Sequence, residues 1–271
     1  MLPLWRDEVG IYIGPSKVVL ARMRRGIRPK CVAETGLSLD KKEPGGWQLA
    51  CGTLTGLLDD EQWQNANARI VISDHWARYA VLPWSTDISN DSERTAHARL
   101  ILSNTYGDLA DEWTICLTDN RPFVPAIVSA IPSELLQHLK DILQARKLRL
   151  VSVQANTIVS FNAWRNHLAD QSSWFAAVDD GSLVAMHLTE GHCDQVQSVR
   201  ISGDWLVELR RIQTMGRLTR TGAHDCSSYV DAPDSMKPDC ENHGAAIEWL
   251  QSDEEAGDVA SKVTLAKGMY S

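Results

Sequence analysis

Two segments of this chain, Val9 to Arg22 and Ala176 to Gly191, carry the same pattern, and a chain that writes one supersecondary unit twice has few folds open to it. In the first, Val9-Gly10-Ile11-Tyr12-Ile13 breaks at Gly14-Pro15-Ser16-Lys17 and resumes as Val18-Val19-Leu20-Ala21. In the second, Phe175-Ala176-Ala177-Val178 breaks at Asp179-Asp180-Gly181-Ser182 and resumes as Leu183-Val184-Ala185-Met186-His187-Leu188. Each predicts a buried strand, a tight glycine-containing turn and a returning strand. A glycine turn exposes backbone N–H groups at its tip, so two such turns facing one cleft would cradle a phosphate. Their repetition predicts an internally duplicated α/β fold.

The rest of the chain alternates strands and helices as a layered α/β architecture requires. After the first hairpin, Pro29 to Leu39 reads as a third strand, followed by a helix from Trp47 to Leu58 and a buried strand from Ala68 to Ser73. Tyr79 to Trp84 reads as another strand. The polar Ser89-Asn90-Asp91-Ser92-Glu93 cluster caps a helix running to Tyr106, with a carboxylate three residues after the cap. Trp113 to Leu117 is strand-like, and the continuous apolar run Pro125 to Ile131 resembles a central strand covered on both faces. Leu135, Leu136, Leu139, Ile142 and Leu143 fall on one stripe of a helix opening at Pro132-Ser133-Glu134. Leu148 to Gln154 reads as a strand and Thr157 to Leu168 as a helix. Beyond the second hairpin come a strand near Gln195 to Ile201 and a helix opening at Gly203-Asp204, with Trp205, Leu209 and Ile212 inward. From Leu218 onward Ser, Thr, Asp, Pro, His and Gly dominate, which predicts a mobile polar tail, with Ala245 to Gln251 and Val259 to Leu265 as candidate short elements docked elsewhere.

Composition narrows the function. A formal net charge of −8 and a pI near 5.5 argue against a nucleic-acid binder. The local cluster Arg22, Arg24, Arg25, Arg28 and Lys30 reads as a solvated strand edge. No apolar stretch approaches the roughly 20 residues of a spanning helix, and the N-terminus lacks a signal-peptide pattern. The expectation is a cytoplasmic protein that meets a membrane only through a partner. Cysteines at 31, 51, 116, 193, 226 and 240 form no CxxC pair. Cys31, Cys116 and Cys193 sit in strand-like contexts as small hydrophobes, in keeping with a reducing compartment. His224, Cys226, Cys240 and His243 supply zinc-ligand types, yet their spacing matches no common finger, so no metal is expected.

The order of these elements resembles the actin-like, duplicated ribonuclease-H-like fold. In detail it is similar to the PilM family of type IV pilus assembly and the related GspL cytoplasmic domain of type II secretion. The matching residues are the Val9 to Arg22 hairpin, Ala80-Val81-Leu82-Pro83, Ala126-Ile127-Val128-Ser129-Ala130, the Leu135 to Arg146 helix with Lys147 to Val153, Phe175 to Leu188, and Ser202-Gly203-Asp204-Trp205. They span residues 9 to 217, about four fifths of the chain. The resemblance implies an α/β fold with mixed sheets: a first lobe over residues 1–170 with a subdomain inserted at 74–117, a truncated second lobe over 171–217, and a tail over 218–271.

The resemblance also implies a magnesium-nucleotide site, with a first turn of the form Asp-Ile-Gly followed by Ser/Thr. Here the triplet is Tyr12-Ile13-Gly14, followed by Pro15, which has no N–H to donate. The second turn keeps Asp179-Asp180-Gly181-Ser182, but Leu183 and Val184 follow it. No apolar strand ending in Gly-Gly appears downstream of Ile212. Gly14, Ser16, Lys17, Asp179, Gly181 and Ser182 are therefore expected to be a vestigial nucleotide site, with neither ATP nor magnesium as a working cofactor. The favoured expectation is a non-catalytic scaffold that docks the cytoplasmic tail of an inner-membrane assembly protein, with the assembly ATPase as a further partner. Clustered aromatics, Trp76, Tyr79, Trp84 and Trp113, are the candidate anchors. The alternatives are an active actin-like ATPase, with Asp179 or Asp180 on magnesium and Ser16, Lys17 and Ser182 on phosphate, and a hydrolase or metalloprotein resting on Asp74-His75 and the scattered histidines.

Overall fold

β1 (Glu8–Ile13) is buried along all six of its residues, so every backbone N–H and C=O on it needs a strand on either side. On one side β2 (Lys17–Arg24) pairs antiparallel with it and β3 (Lys30–Ser38) pairs antiparallel with β2. On the other, β4 (Asn67–Ile72) runs parallel to β1, and β8 (Arg149–Ala155) parallel to β4. The first sheet therefore has the order β3-β2-β1-β4-β8. This computed structural model describes residues 6–24, 30–39, 46–88, 90–118, 121–168, 172–218, 226–233, 236 and 247–250. They pack as two units, one taking in Met1–Trp76 and Ser133–Ala163, the other Ala77–Pro132 and Trp164–Gln251.

In the first unit, α1 (Trp47–Leu57) packs on β1 and β2, and α3 (Ser133–Ala145) packs on α1 and β8. The leucine stripe of α3 behaves as its spacing predicts: Leu135, Leu139 and Leu143 are buried, with Leu136 and Ile142 half-buried beside them. Burial pushes the Cys51 thiol on α1 up to about 11, which leaves it a protonated hydrophobe. The described cysteines, 31, 51, 116, 193 and 226, are free thiols, though Cys116 is exposed. α4 (Asn156–Trp164) starts against Asp74, whose buried carboxylate accepts the Thr157 N–H at 3.0 Å, the Thr157 Oγ1 hydrogen at 2.7 Å and the Asn156 amide at 3.2 Å. A helix N-terminus offers unpaired N–H groups and partial positive charge, and Asp74 answers both. Asp74 is thus committed to capping α4, and His75 stands edge-on to Trp76 with ring centres 6.0 Å apart.

The second unit repeats the scheme. β9 (Ser173–Asp179) is buried along all seven residues; β10 (Ser182–Thr189) and β11 (His192–Arg200) add antiparallel on one side. β12 (Ser227–Asp231) and β13 (Ile247–Trp249) add parallel on the other, giving the order β11-β10-β9-β12-β13. Position for position, the directions match those of the first sheet. α5 (Trp205–Leu218) buries Leu206, Leu209 and Ile212 against Trp174, Ala176, Val178, Leu183 and Ala185. A Cβ at Gly216 would stand 2.9 Å from the Trp174 ring, so only glycine lets the last turn of α5 approach this closely.

The second unit also holds an inserted antiparallel sheet of order β5-β7-β6, made of β5 (Arg78–Leu82), β6 (Trp113–Leu117) and β7 (Ala126–Pro132). α2 (Asp91–Tyr106) covers one face through Ala98 and Leu102, which pack with Leu82, Trp113, Val128 and Ala130. Asn90 caps α2 by accepting the Glu93 N–H at 3.0 Å. β5 lies beside β11.

Three expectations need correction. The insert does not end at Leu117, because β7 pairs between β5 and β6; it runs from Ala77 to Pro132 and packs with the second sheet rather than the first. The second lobe is not truncated at 217, nor is the region beyond it wholly a polar tail, since β12 and β13 complete the sheet. Ser-Ser-Tyr-Val-Asp carries only Val230 as an aliphatic signal, and its buried Ser228 is satisfied by the Gln213 amide at 2.8 Å, which lets a polar sequence occupy a central strand. Arg22 is no solvated edge: it pairs with Asp7 at 3.0 Å and donates to the Gln62 carbonyl. His224, Cys240 and His243 lie outside the described residues, and Cys226 directly precedes β12.

A chain ending at Leu218 is expected to lose its cooperative thermal transition and to bind a hydrophobic dye, because removal of β12 opens the parallel edge of β9. Asp74→Ala removes the acceptor shared by three buried donors at the start of α4. It should lower unfolding stability in urea by about 1–3 kcal/mol, with the folded circular dichroism spectrum retained.

Candidate functional site

The first glycine turn is closed by the Gly14 N–H donating to the Lys17 carbonyl at 3.0 Å, just beyond the Ile13 and Val18 pair. Immediately before it, Tyr12 is 1% exposed and packs with Ala21, Met23, Val71 and Val159. Lys17 places its Nζ 5.3 Å from the centre of the Tyr12 ring, a cation–π arrangement. Where the resemblance implies a metal-holding carboxylate, this chain therefore buries a phenol ring in an apolar cluster. Pro15 gives no donor, and Ser16 and Lys17 are half-buried at the turn.

In the second turn, Asp179 pairs with Ser182 across a two-residue loop whose Asp180 and Gly181 both have positive φ, +43° and +78°. That geometry matches the strand twist of a tight hairpin. The Gly181 carbonyl accepts the Ile201 N–H at 2.8 Å. Asp179 and Ser182 are buried, and Leu183 and Val184 behind them are fully enclosed. A carboxylate survives here; the residues that follow it are aliphatic. β12 ends at Asp231 and is followed by Ala232-Pro233, not by Gly-Gly.

Of the four aromatic anchors expected from sequence, three face inward. Trp76, in the first unit, and Tyr79 and Trp113, in the second, are all buried. Trp113 meets Tyr106 edge-on with centres 5.2 Å apart, and the Arg78 guanidinium lies 6.0 Å over one ring and 5.9 Å over the other. These rings hold the insert together.

Trp84, half-buried just after β5, is different. It lies against Phe123 with ring centres 4.4 Å apart, and Phe123 is 80% exposed. Phe123 also has φ +64°, a conformation that a bulky side chain adopts at a cost of about 1–3 kcal/mol. Beside the pair is a small, open hollow of about 40 Å³ lined by Leu82, Pro83, Ile88 and Val124 together with Ser85 and Arg94. At its base Arg94 is fixed by Asp91 at 3.2 Å and by the Thr118 carbonyl at 3.1 Å. Strained backbone that presents a large ring to solvent is a mark of a binding site. Sequence reasoning missed Phe123; its one signal is an aromatic between Pro122 and Pro125 in an otherwise polar loop.

No protein-family model matches the chain, and no curated protein matches it in sequence. Solved structures do. The cytoplasmic domain of EpsL, an inner-membrane component of the type II secretion system of Vibrio cholerae, superposes with a TM-score of 0.60 at 10% identity, over 97% of this chain and 95% of that one. The PilM–PilN type IV pilus biogenesis complex gives 0.60 at 14% identity, over 90% and 88%. A Bacteroides thetaiotaomicron protein of unknown function with an actin-like ATPase fold gives 0.57 at 9% identity, over 86% and 84%. At such identities the likeness is one of fold. With two mixed five-stranded sheets of matching order, this chain has the actin-like α/β fold.

Proposed function

We propose that this chain is a cytoplasmic scaffold of a type IV pilus or type II secretion assembly platform, holding a short extended peptide from an inner-membrane partner on its inserted sheet. The carrying observation is the Trp84–Phe123 pair, an exposed aromatic surface on strained backbone beside a small hollow of mixed polar and apolar lining. Fold likeness to the EpsL cytoplasmic domain and to PilM–PilN supports the setting. Among the described residues no helix is long and apolar enough to cross a membrane, in keeping with attachment through the partner. The assembly ATPase is a further partner that the same platform would bring close.

Peptide docking of this kind draws on main-chain pairing and apolar pockets, so salt should affect it little. Gly14, Ser16, Lys17, Asp179, Gly181 and Ser182 are then remnants of nucleotide chemistry. The buried Asp179 beside Ser182 favours the competing ATPase reading, but a magnesium-nucleotide site needs anion donors and metal ligands together. In the first turn Tyr12 stands in place of the metal-holding carboxylate, and Pro15 removes one anion donor.

The test titrates a synthetic cytoplasmic peptide from a type IV pilus or type II secretion inner-membrane protein against the full protein. Trp84→Glu should weaken binding at least about 10-fold without lowering the melting temperature. Phe123→Gly should do the same while raising stability by about 1 kcal/mol, since glycine relieves the positive φ. Unchanged affinity in both folded variants would move the docking surface elsewhere.

A further inference from the structure

Three side chains that the scaffold reading leaves unused meet where α5 ends over the second sheet. His187 on β10 is buried, and its Nδ1 lies 2.9 Å from Asp194 Oδ1 on β11. Its Nε2 lies 3.4 Å from the Oγ of Ser172, an exposed residue one position before β9. The Thr189 hydroxyl donates to the second Asp194 oxygen at 2.6 Å, and Trp174 stands edge-on to the imidazole with centres 5.0 Å apart. A regular antiparallel ladder would not place these groups so. The register breaks between His187, opposite Gln195, and Leu188, opposite Cys193, which leaves Asp194 as the extra residue of a β-bulge. Bulges re-aim side chains, and this one turns a carboxylate onto the imidazole.

We infer that Ser172 is an activated nucleophile toward small ester and acyl electrophiles, with His187 as its general base and Asp194 as the residue that positions the base. A carboxylate on Nδ1 keeps the proton there and leaves the Nε2 lone pair facing the serine hydroxyl. A tie between strands would need the His187–Asp194 bond alone; the serine on the other nitrogen completes a nucleophile, base and orienting acid. As Ser172 Oγ bonds to the carbonyl carbon of an ester, its proton passes to His187 Nε2. The carbon–alkoxide bond then breaks, and the alkoxide leaves with that proton as an alcohol. Water repeats the sequence on the acyl-serine, releasing the acid and restoring the hydroxyl. The Cys226 thiol lies 3.6 Å from Ser172 Oγ and is the neighbouring nucleophile that the experiment must separate.

The full chain is treated with a fluorophosphonate probe, which loses fluoride on bonding to an activated serine, and the labelled peptide is mapped by mass spectrometry. The expected result is one phosphonate on Ser172, absent in Ser172→Ala, and formed at least about 100-fold more slowly in His187→Gln. Asp194→Ala should slow labelling and Asp194→Glu recover part of the rate, a rescue that a purely structural role would not produce. Melting curves of the variants show whether each remains folded. No label on Ser172, label on Cys226 instead, or an unchanged rate in folded His187→Gln or Asp194→Ala would overturn the inference. None of these outcomes bears on peptide docking, which uses other residues.

Discussion

The structure depends on one constraint applied twice: a strand buried on both faces must have its backbone paired on both sides. β1 and β9 are those strands. Each takes an antiparallel hairpin partner on one side, which a tight turn supplies locally. Each takes a parallel partner on the other, which only a crossover through a helix can deliver. α1 lies between β3 and β4, α5 between β11 and β12, and both sheets come out with the same order and directions. The duplication is therefore complete at the level of the sheets.

What was legible in the sequence follows from the same division. The hairpins, the leucine stripe of α3 and the Asn90 cap are encoded within a few residues of themselves, and each stands where its pattern placed it. β12 was not legible, because a strand with one aliphatic residue reads as loop until Gln213, fifteen positions away, satisfies its buried serine. The apolar run of β7 identifies a covered strand, but nothing in such a run names its partners, so the sequence alone ends the insert at Leu117. The bulge that joins His187 to Asp194 is a property of pairing, invisible along the chain. Three of the four aromatics singled out as anchors are packing residues, the ordinary fate of large rings, while the exposed Phe123 sits in a loop whose strain only backbone geometry reveals.

Residue by residue, the two glycine turns have diverged from what their shapes suggest. Both are well-formed hairpin turns. In the first, Tyr12 contributes to the apolar cluster over β1 and engages Lys17, so the two residues best placed for charge chemistry are occupied with each other. In the second, Asp179 persists next to Ser182, but its neighbours are enclosed aliphatics.

The central claim is that this actin-like frame works by docking rather than by nucleotide turnover. Calorimetric titration of magnesium-ATP into the full chain tests it most directly. The account predicts no saturable heat even at millimolar nucleotide; micromolar binding that Asp179→Ala abolishes would contradict it.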